Sequence, residues 1–269
     1  MEDKSRKHVL CEKAPLVAMI LAAAPALVLL TIPGLLGFPK AAENLTSSVL
    51  AVLFMIAYTR WFAPEFKGVF KTSHLATGLA FVWLAFAFKF FGAYFVNLAD
   101  NGFYFKPTVE ALAMAIAAGF YEETIFRGVT VPIGMRYFKS EKRVDILVLI
   151  SALVFDLMHI GNIANGASIQ MGIAQGVATI FAGIFFIAAY LRTGNLLIPI
   201  FMHGIFDYMC FTTDPTLVNG IMANEVATRA LILAVLVDVI AGILGLYLLR
   251  PAKREEIHAI WDDKWSVTR

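Results

Sequence analysis

Residues 109–131 read VEALAMAIAAGFYEETIFRGVTV. The run has the length of a membrane-spanning helix, which needs about 20 predominantly apolar residues. Yet it contains Glu122, Glu123 and Arg127. Even the most lenient insertion scale puts a charged side chain at the centre of such a helix at about 2.5 to 3.5 kcal/mol. Charges retained at this cost indicate a functional site within a membrane.

The composition of the whole chain also indicates a membrane protein. Of its 269 residues, 59% are hydrophobic and 16% are charged, whereas soluble domains carry roughly 45–50% and about 25%. A net charge of +2, with no basic stripe interleaved with aromatic residues, argues against nucleic acid as a partner. The two cysteines, Cys11 and Cys210, lack metal or redox spacing, and we expect free thiols.

Eight apolar runs predict an all-α polytopic protein with about eight transmembrane helices, which we expect in the cell membrane. The fifth and seventh runs are short, and the seventh contains a proline. The runs are Pro15–Leu36, Leu45–Ala63, Leu75–Leu98, Val109–Val131, Val144–Ile160, Met171–Leu191, Leu196–Phe211 and Ala227–Leu249.

The distribution of Lys and Arg predicts the orientation. These residues concentrate in both tails and in the second-to-third and fourth-to-fifth connections, whereas the alternate loops hold only Lys40, Lys106 and Arg229. Because Lys and Arg stay on the cytoplasmic side, both termini are expected in the cytoplasm. We expect one membrane domain over residues 1–269, a cytoplasmic tail over 251–269, and a solvated stretch over 262–269.

The two adjacent glutamates are expected to have different roles. Neighbouring residues point about 100° apart on a helix, so Glu122 and Glu123 cannot share one face. Arg127 follows Glu123 by four residues, which is the spacing of a helical ion pair. The spacing therefore predicts a Glu123–Arg127 pair and leaves Glu122 facing a cavity. The alternative is that all three form a structural charge cluster near a helix end.

Two histidines lie within or at the end of a predicted span, each near carboxylates. His159 ends residues 155–159, FDLMH, and His203 begins residues 203–207, HGIFD. Asp207 falls on the same helical face as His203. A single histidine in an apolar helix is more often a packed residue than a catalyst, but two beside carboxylates favour a shared site.

Depth along the helices tests whether these groups can meet. At 1.5 Å per residue, Glu122 lies about 8 Å and His203 about 12 Å from the cytoplasmic face. His159, counted from Asp145, lies about 21 Å deep, unless its helix begins outside the membrane or tilts. Lys89 and Asp238 are also intramembrane, but their depths differ by roughly 10 Å. We therefore expect Lys89 to snorkel rather than to pair with Asp238.

Three motifs in order resemble those of the CPBP intramembrane endopeptidases, which include type II CAAX prenyl endopeptidases and bacteriocin-processing or self-immunity proteins. Residues 122–127, EETIFR, resemble EExxxR. Residues 155–159 resemble FxxxH, and residues 203–207 resemble HxxxN or HxxxD. Residues 193–199, TGNLLIP, are similar to the run before the last histidine. The resemblance covers residues 109–207, the expected catalytic core.

The resemblance implies an eight-helix protease with a cavity open to the cytoplasm. Its substrate would be a membrane-associated peptide or protein, with or without a prenyl group. It implies Glu122 as the base, His159 as its assistant, and His203 with Asp207 as holders of the oxyanion. No cofactor is expected. The remaining motif residues are expected to support the site, and they are Glu123, Arg127 and Phe155.

Asp207 departs from the prenyl-protease form, in which asparagine is usual. An amide can donate a hydrogen bond to an oxyanion, whereas an ionised carboxylate cannot. We therefore expect Asp207 to orient His203. The departure also leaves peptides other than CAAX-type sequences as alternative substrates.

Two other functions stay open at this point. Glu122, His159 and His203 are a possible His₂Glu zinc set, although the sequence lacks HExxH. The other alternative is a non-catalytic membrane protein, such as an immunity factor, a partner protein or a transporter.

Overall fold

The protein is described by a computed structural model, which covers residues 6–61, 66–70, 74–100, 104–164, 166–213 and 228–266. Every regular element in these ranges is helical. The eleven α-helices of the described ranges are α1 (Arg6–Lys13), α2 (Pro15–Leu35), α3 (Lys40–Trp61), α4 (Leu75–Asp100), α5 (Val109–Glu123), α6 (Thr130–Tyr137), α7 (Arg143–Ile160), α8 (Ile169–Thr193), α9 (Leu197–Thr213), α10 (Thr228–Leu248) and α11 (Arg254–Lys264).

Helix length and composition confirm an all-α, multi-pass membrane protein. Within the described chain, six segments are long and apolar enough to cross a membrane, namely Pro15–Leu35, Lys40–Tyr58, Leu75–Gly92, Arg143–Ile163, Ile169–Thr193 and Leu231–Leu248. Helix α9 is apolar but shorter, and α5 has 15 residues. The count of eight spans and the cytoplasmic placement of both termini stay predictions.

Helix α8 forms the centre of the bundle. It packs against α7 on one side and α10 on another, and every residue from 182 to 193 is buried. A helix that is apolar around its whole circumference is expected in such a position. Ser168 caps its first turn by accepting a hydrogen bond from the Met171 amide, and Gly194 ends it in the left-handed conformation.

Helices α5 and α9, which carry the glutamates and the last histidine, approach each other at two glycines. A Cβ atom on Gly119 would lie 2.6 Å from the Ile200 carbonyl oxygen, and one on Gly204 would lie 3.3 Å from the Ala115 oxygen. Small residues allow helix backbones to come this close within a membrane. The contact brings Glu123, one turn after Gly119, to the same level as His203.

We expect Gly119→Ala to destabilise the protein by about 1–3 kcal/mol, because the added methyl group meets backbone rather than a movable side chain. Thermal unfolding in detergent measures the effect. Gly161→Ala is the matched control, since nothing lies within 4 Å of its added Cβ atom. Equal stability of the two variants would contradict the proposed close contact between α5 and α9.

The C-terminal helix α11 packs onto the polar end of the bundle. The indole of Trp261 donates to the Leu191 carbonyl at 3.1 Å, and that of Trp265 donates to the Pro132 carbonyl at 3.2 Å. Lys264 and Trp265 are both buried. The expectation of a solvated stretch over residues 262–269 is therefore wrong for Lys264 and Trp265, whereas Asp263 and Ser266 are exposed.

The structure also corrects the expectation for Lys89. Its ammonium lies 2.7 Å from a carboxylate oxygen of Asp238, and both side chains are buried between α4 and α10. Counting residues from the ends of the spans did not predict this contact, which depends on how the 26-residue α4 packs against α10. Surplus length is accommodated by tilt, so sequence position alone does not fix depth.

Candidate active site

The helix that carries the two glutamates changes its geometry directly after them. Helix α5 ends at Glu123, and residues 124–128 form a turn of π-helix before α6 begins. The Val129 amide bonds to the Thr124 carbonyl at 3.1 Å, five residues back, and every residue of the π turn is buried. Such turns occur frequently at functional sites.

Glu123 is fully buried and holds two partners. One carboxylate oxygen contacts the Arg127 guanidinium, as the four-residue spacing predicts, and also lies 2.9 Å from Nδ1 of His203. A carboxylate held by a guanidinium accepts hydrogen bonds, so Nδ1 of His203 is the donor and its Nε2 is directed into the site. Glu123 therefore orients a histidine as well as pairing with Arg127.

Arg127 is fixed by two groups from α7. Its Nε donates to Ser151 Oγ at 3.2 Å, and its guanidinium lies 4.5 Å from the centroid of the Phe155 ring. The buried cation thus has a hydrogen-bond acceptor, a carboxylate and an aromatic face around it. Through these contacts, residues 122–127 pack directly against Phe155, the first residue of the second motif.

Glu122 faces the histidines of two other helices. Its Oε2 atom lies 3.8 Å from Nε2 of His159 and 3.9 Å from Nε2 of His203. Oε2 accepts no hydrogen bond from any residue that the structure describes. Both separations exceed direct hydrogen bonding, but a water beside the three atoms reaches each of them.

His159 is held by its own helix. Its Nδ1 lies 2.8 Å from the Phe155 carbonyl oxygen, and the two rings are 4.6 Å apart. Because a carbonyl only accepts, Nδ1 carries the hydrogen and Nε2 presents a lone pair toward Glu122. The four-residue spacing of FxxxH thus supplies both the carbonyl and the ring that set this imidazole.

The helix that carries His159 begins beside charged residues of α11. Arg143 begins that helix, and its guanidinium contacts His258 Nδ1 at 2.9 Å and Asp262 at 3.3 Å, both on α11. The first turn of α7 therefore belongs to the polar end of the bundle. An α7 that begins outside the membrane is one of the two conditions under which the depth estimated for His159 agrees with those for Glu122 and His203.

Asp207 completes the surroundings of His203. Its Oδ2 atom lies 3.7 Å from Nε2 of His203, and the ring stacks on Phe186 at 5.1 Å. One imidazole thus has Glu123 at Nδ1 and both Glu122 and Asp207 near Nε2. The ring is placed to donate hydrogen bonds from both nitrogens.

All seven residues predicted from the motifs come together in this one site. Sequence reasoning did not find the bond between Glu123 and His203 or the contacts of Ser151 and Phe186. Ser151 lies four residues before Phe155, on the same face of α7, and that spacing was the available signal. No group of three or more His, Cys, Asp or Glu side chains among the described residues is arranged to hold a metal ion.

The region that contains these motifs is similar to a known protein family. Residues 104–209 match the family described as type II CAAX prenyl endopeptidase, Rce1-like. Comparisons with curated proteins and with solved structures give no match. The match includes all three motifs and confirms the resemblance drawn from them. Over residues 104–209, the chain is therefore similar to the type II CAAX prenyl endopeptidases, a family of membrane proteases.

Proposed function

We propose that this protein is a glutamate-dependent intramembrane peptidase in which Glu122 activates water. The observation that carries the proposal is the position of Glu122 Oε2, 3.8 Å from His159 Nε2 and 3.9 Å from His203 Nε2. Peptide hydrolysis needs a base for water and donors for the developing oxyanion. The three groups supply both functions from three different helices.

The proposed first step is attack of water on the scissile carbonyl carbon. The water loses its proton to the Glu122 carboxylate, and His159 accepts a hydrogen bond from the same water through its free Nε2. The carbonyl oxygen gains negative charge and accepts a hydrogen bond from Nε2–H of His203. Glu123 and Asp207 hold that imidazole in place.

The proposed second step breaks the carbon–nitrogen bond of the tetrahedral intermediate. Glu122 returns the proton to the departing amine, so that the products are a carboxylate and an amine and the enzyme is regenerated. Asp207 is assigned to orienting His203, since an ionised carboxylate cannot donate to the oxyanion.

We propose a membrane-associated peptide as the substrate, with a prenylated CAAX-type C terminus as the first candidate. The family match over residues 104–209 and several apolar helices support this choice. Purified protein in detergent is assayed with a farnesylated CAAX peptide and with the same peptide lacking the farnesyl group, and mass spectrometry locates the cleaved bond. Failure to cleave either peptide, by protein that is folded, would contradict a CAAX-type activity.

A zinc-dependent protease is the second candidate, because Glu122 Oε2 lies within 4 Å of Nε2 of both His159 and His203, although these side chains are not arranged as a metal site in the structure. We expect activity to survive prolonged treatment with 1,10-phenanthroline, and elemental analysis of active protein to find less than about 0.1 zinc per chain. A zinc peptidase loses its hydrolytic water with the metal. Loss of activity on chelation, with recovery on adding zinc, would replace the glutamate mechanism with the metal mechanism.

A further inference from the structure

The His203 imidazole is bordered by aromatic rings from two other helices. Phe186 of α8 stacks against it, with the ring centroids 5.1 Å apart and the planes 22° from parallel. Phe155 of α7 meets it nearly edge-on, at 5.6 Å and 80°. Both separations fall in the range in which aromatic rings attract one another. The imidazole therefore has a flat apolar surface against its face, while its two nitrogens lie near carboxylates.

Helix α8 thus contributes to the site, although the three motifs lie on other helices. Phe186 is 1% exposed, and Gly183 lies one turn earlier on the same face of α8. A Cβ atom on Gly183 would lie 3.2 Å from Nη2 of Arg127 and 3.4 Å from a ring carbon of Phe155. Two successive turns of α8 therefore pack against the site, where the first makes room for Arg127 and the second meets His203.

The polar contacts of His203 do not by themselves fix the plane of its ring. Nδ1 donates to Glu123 at 2.9 Å, whereas Nε2 lies 3.7 Å from Asp207 and 3.9 Å from Glu122, beyond direct hydrogen bonding. A ring held by one hydrogen bond can still turn about that bond. Because Phe186 lies nearly parallel to the ring and protein interiors are closely packed, such a turn would push the imidazole into its neighbour. The direction of Nε2 therefore depends on this contact.

We propose that Phe186 is a positioning residue, which holds the plane of the His203 imidazole so that Nε2–H points at the oxyanion. The inference rests on the proposed peptidase function. An oxyanion donor has to lie about 2.7–3.1 Å from the developing charge, so a turn of the ring weakens the hydrogen bond in the transition state. Phe186 acts through His203 rather than through the substrate, because its own side chain is buried.

The neighbouring residue, Phe185, offers a matched control on the same helix. Both phenylalanines are buried, and both rings contact Phe206 of α9. Neighbouring residues point about 100° apart on a helix, and the ring of Phe185 is directed at two phenylalanines of α4. Replacing either residue therefore removes a buried ring that packs on α9, but only the replacement of Phe186 removes the ring stacked on His203.

The test compares Phe186→Met with Phe185→Met in the full chain in detergent, with a farnesylated CAAX peptide as substrate. Methionine adapts to the space that the ring leaves but has no flat face. In Phe186→Met we expect kcat to fall by about 10- to 100-fold, the loss that a misplacement of about 1 Å can cause, with KM little changed. Phe185→Met should keep its kcat. The thermal unfolding temperature should fall by a similar amount in both variants.

A conservative variant separates positioning from a general structural role. Phe186→Tyr keeps an aromatic face against His203 and should restore kcat to near that of the unaltered protein. A loss of kcat in Phe186→Tyr as large as in Phe186→Met would overturn the proposal, as would equal kcat values for Phe186→Met and Phe185→Met. If Phe186→Met does not fold where Phe185→Met does, the ring has a structural role and the proposal is likewise overturned.

The outcome for Glu122→Gln distinguishes failure of this inference from failure of the peptidase mechanism. Loss of cleavage in Glu122→Gln, with normal kcat in Phe186→Met, would remove only the role of Phe186. Normal cleavage by Glu122→Gln would instead remove the mechanism on which that role rests.

Discussion

Replacing Glu122 with glutamine is expected to lower kcat by about 10² to 10⁴-fold, the range that a positioned general base contributes. The amide keeps the size of the side chain but cannot take the proton from water. Its neighbours, His159 and His203, lie too far away for a direct hydrogen bond to Glu122, so the fold should not depend on this carboxylate. The measurement is cleavage of a farnesylated CAAX peptide, together with thermal unfolding of the same preparation.

Glu110→Gln is the matched control, because Glu110 is an exposed residue in the first turn of the same helix. It should cleave and unfold like the unaltered protein. If Glu122→Gln cleaves normally, the glutamate mechanism is wrong. If instead it loses its fold, Glu122 belongs to a structural charge cluster, the alternative that the sequence left open.

Replacing Arg127 with methionine is expected to lower the stability of the fold strongly, whereas replacing Glu122 should leave the fold intact. Arg127 and Glu123 are both fully buried, and removing one partner of a buried pair typically costs about 3–5 kcal/mol. The penalty arises because Glu123 would keep its charge without a guanidinium. Because Glu123 also orients His203, residual folded protein should be impaired in turnover as well. The free energy of unfolding, measured in detergent with denaturant, gives the first effect.

Arg136→Met makes the same substitution at an exposed position of α6 and should leave the unfolding free energy nearly unchanged. The double variant Glu123→Gln/Arg127→Met removes both charges and should be more stable than Arg127→Met alone. An unfolding free energy equal to that of the unaltered protein in Arg127→Met would show that the pair is not buried as described. Of the two adjacent glutamates, Glu122 is thus expected to matter for catalysis, whereas the ion pair of Glu123 is expected to matter for stability.

The sequence predicted those parts of the site that depend on local helical spacing. Glu123 and Arg127 are four residues apart, as are Phe155 and His159, so one turn of helix sets each contact. The bond from Glu123 to His203 joins residues 80 apart and depends on how closely α5 approaches α9. The only signals for that approach were Gly119 and Gly204, and neither glycine identifies its partner helix.

The sequence-based predictions were wrong where the neighbours of a residue lie on distant segments of the chain. Lys89 looked like a snorkelling lysine because depth was counted along straight helices, whereas its contact with Asp238 follows from how α4 packs against α10. Lys264 and Trp265 looked solvated because the stretch around them is rich in charge, but both are buried. The docking of Trp261 and Trp265 depends on carbonyls of α8 and α6 that no local pattern indicates.

The attachment of α11 has a consequence for how the protein is made. Lys264 donates from its ammonium to the Gly68 carbonyl at 2.6 Å, across a separation of 196 residues, and its own carbonyl accepts from the Lys67 amide. Ribosomes deliver the chain from its N-terminus at about 5–20 residues per second. Every apolar helix in the described part of the chain is therefore synthesised before these two hydrogen bonds can form. The polar end is completed only after α11 has been synthesised, and a nascent chain arrested before α11 lacks it.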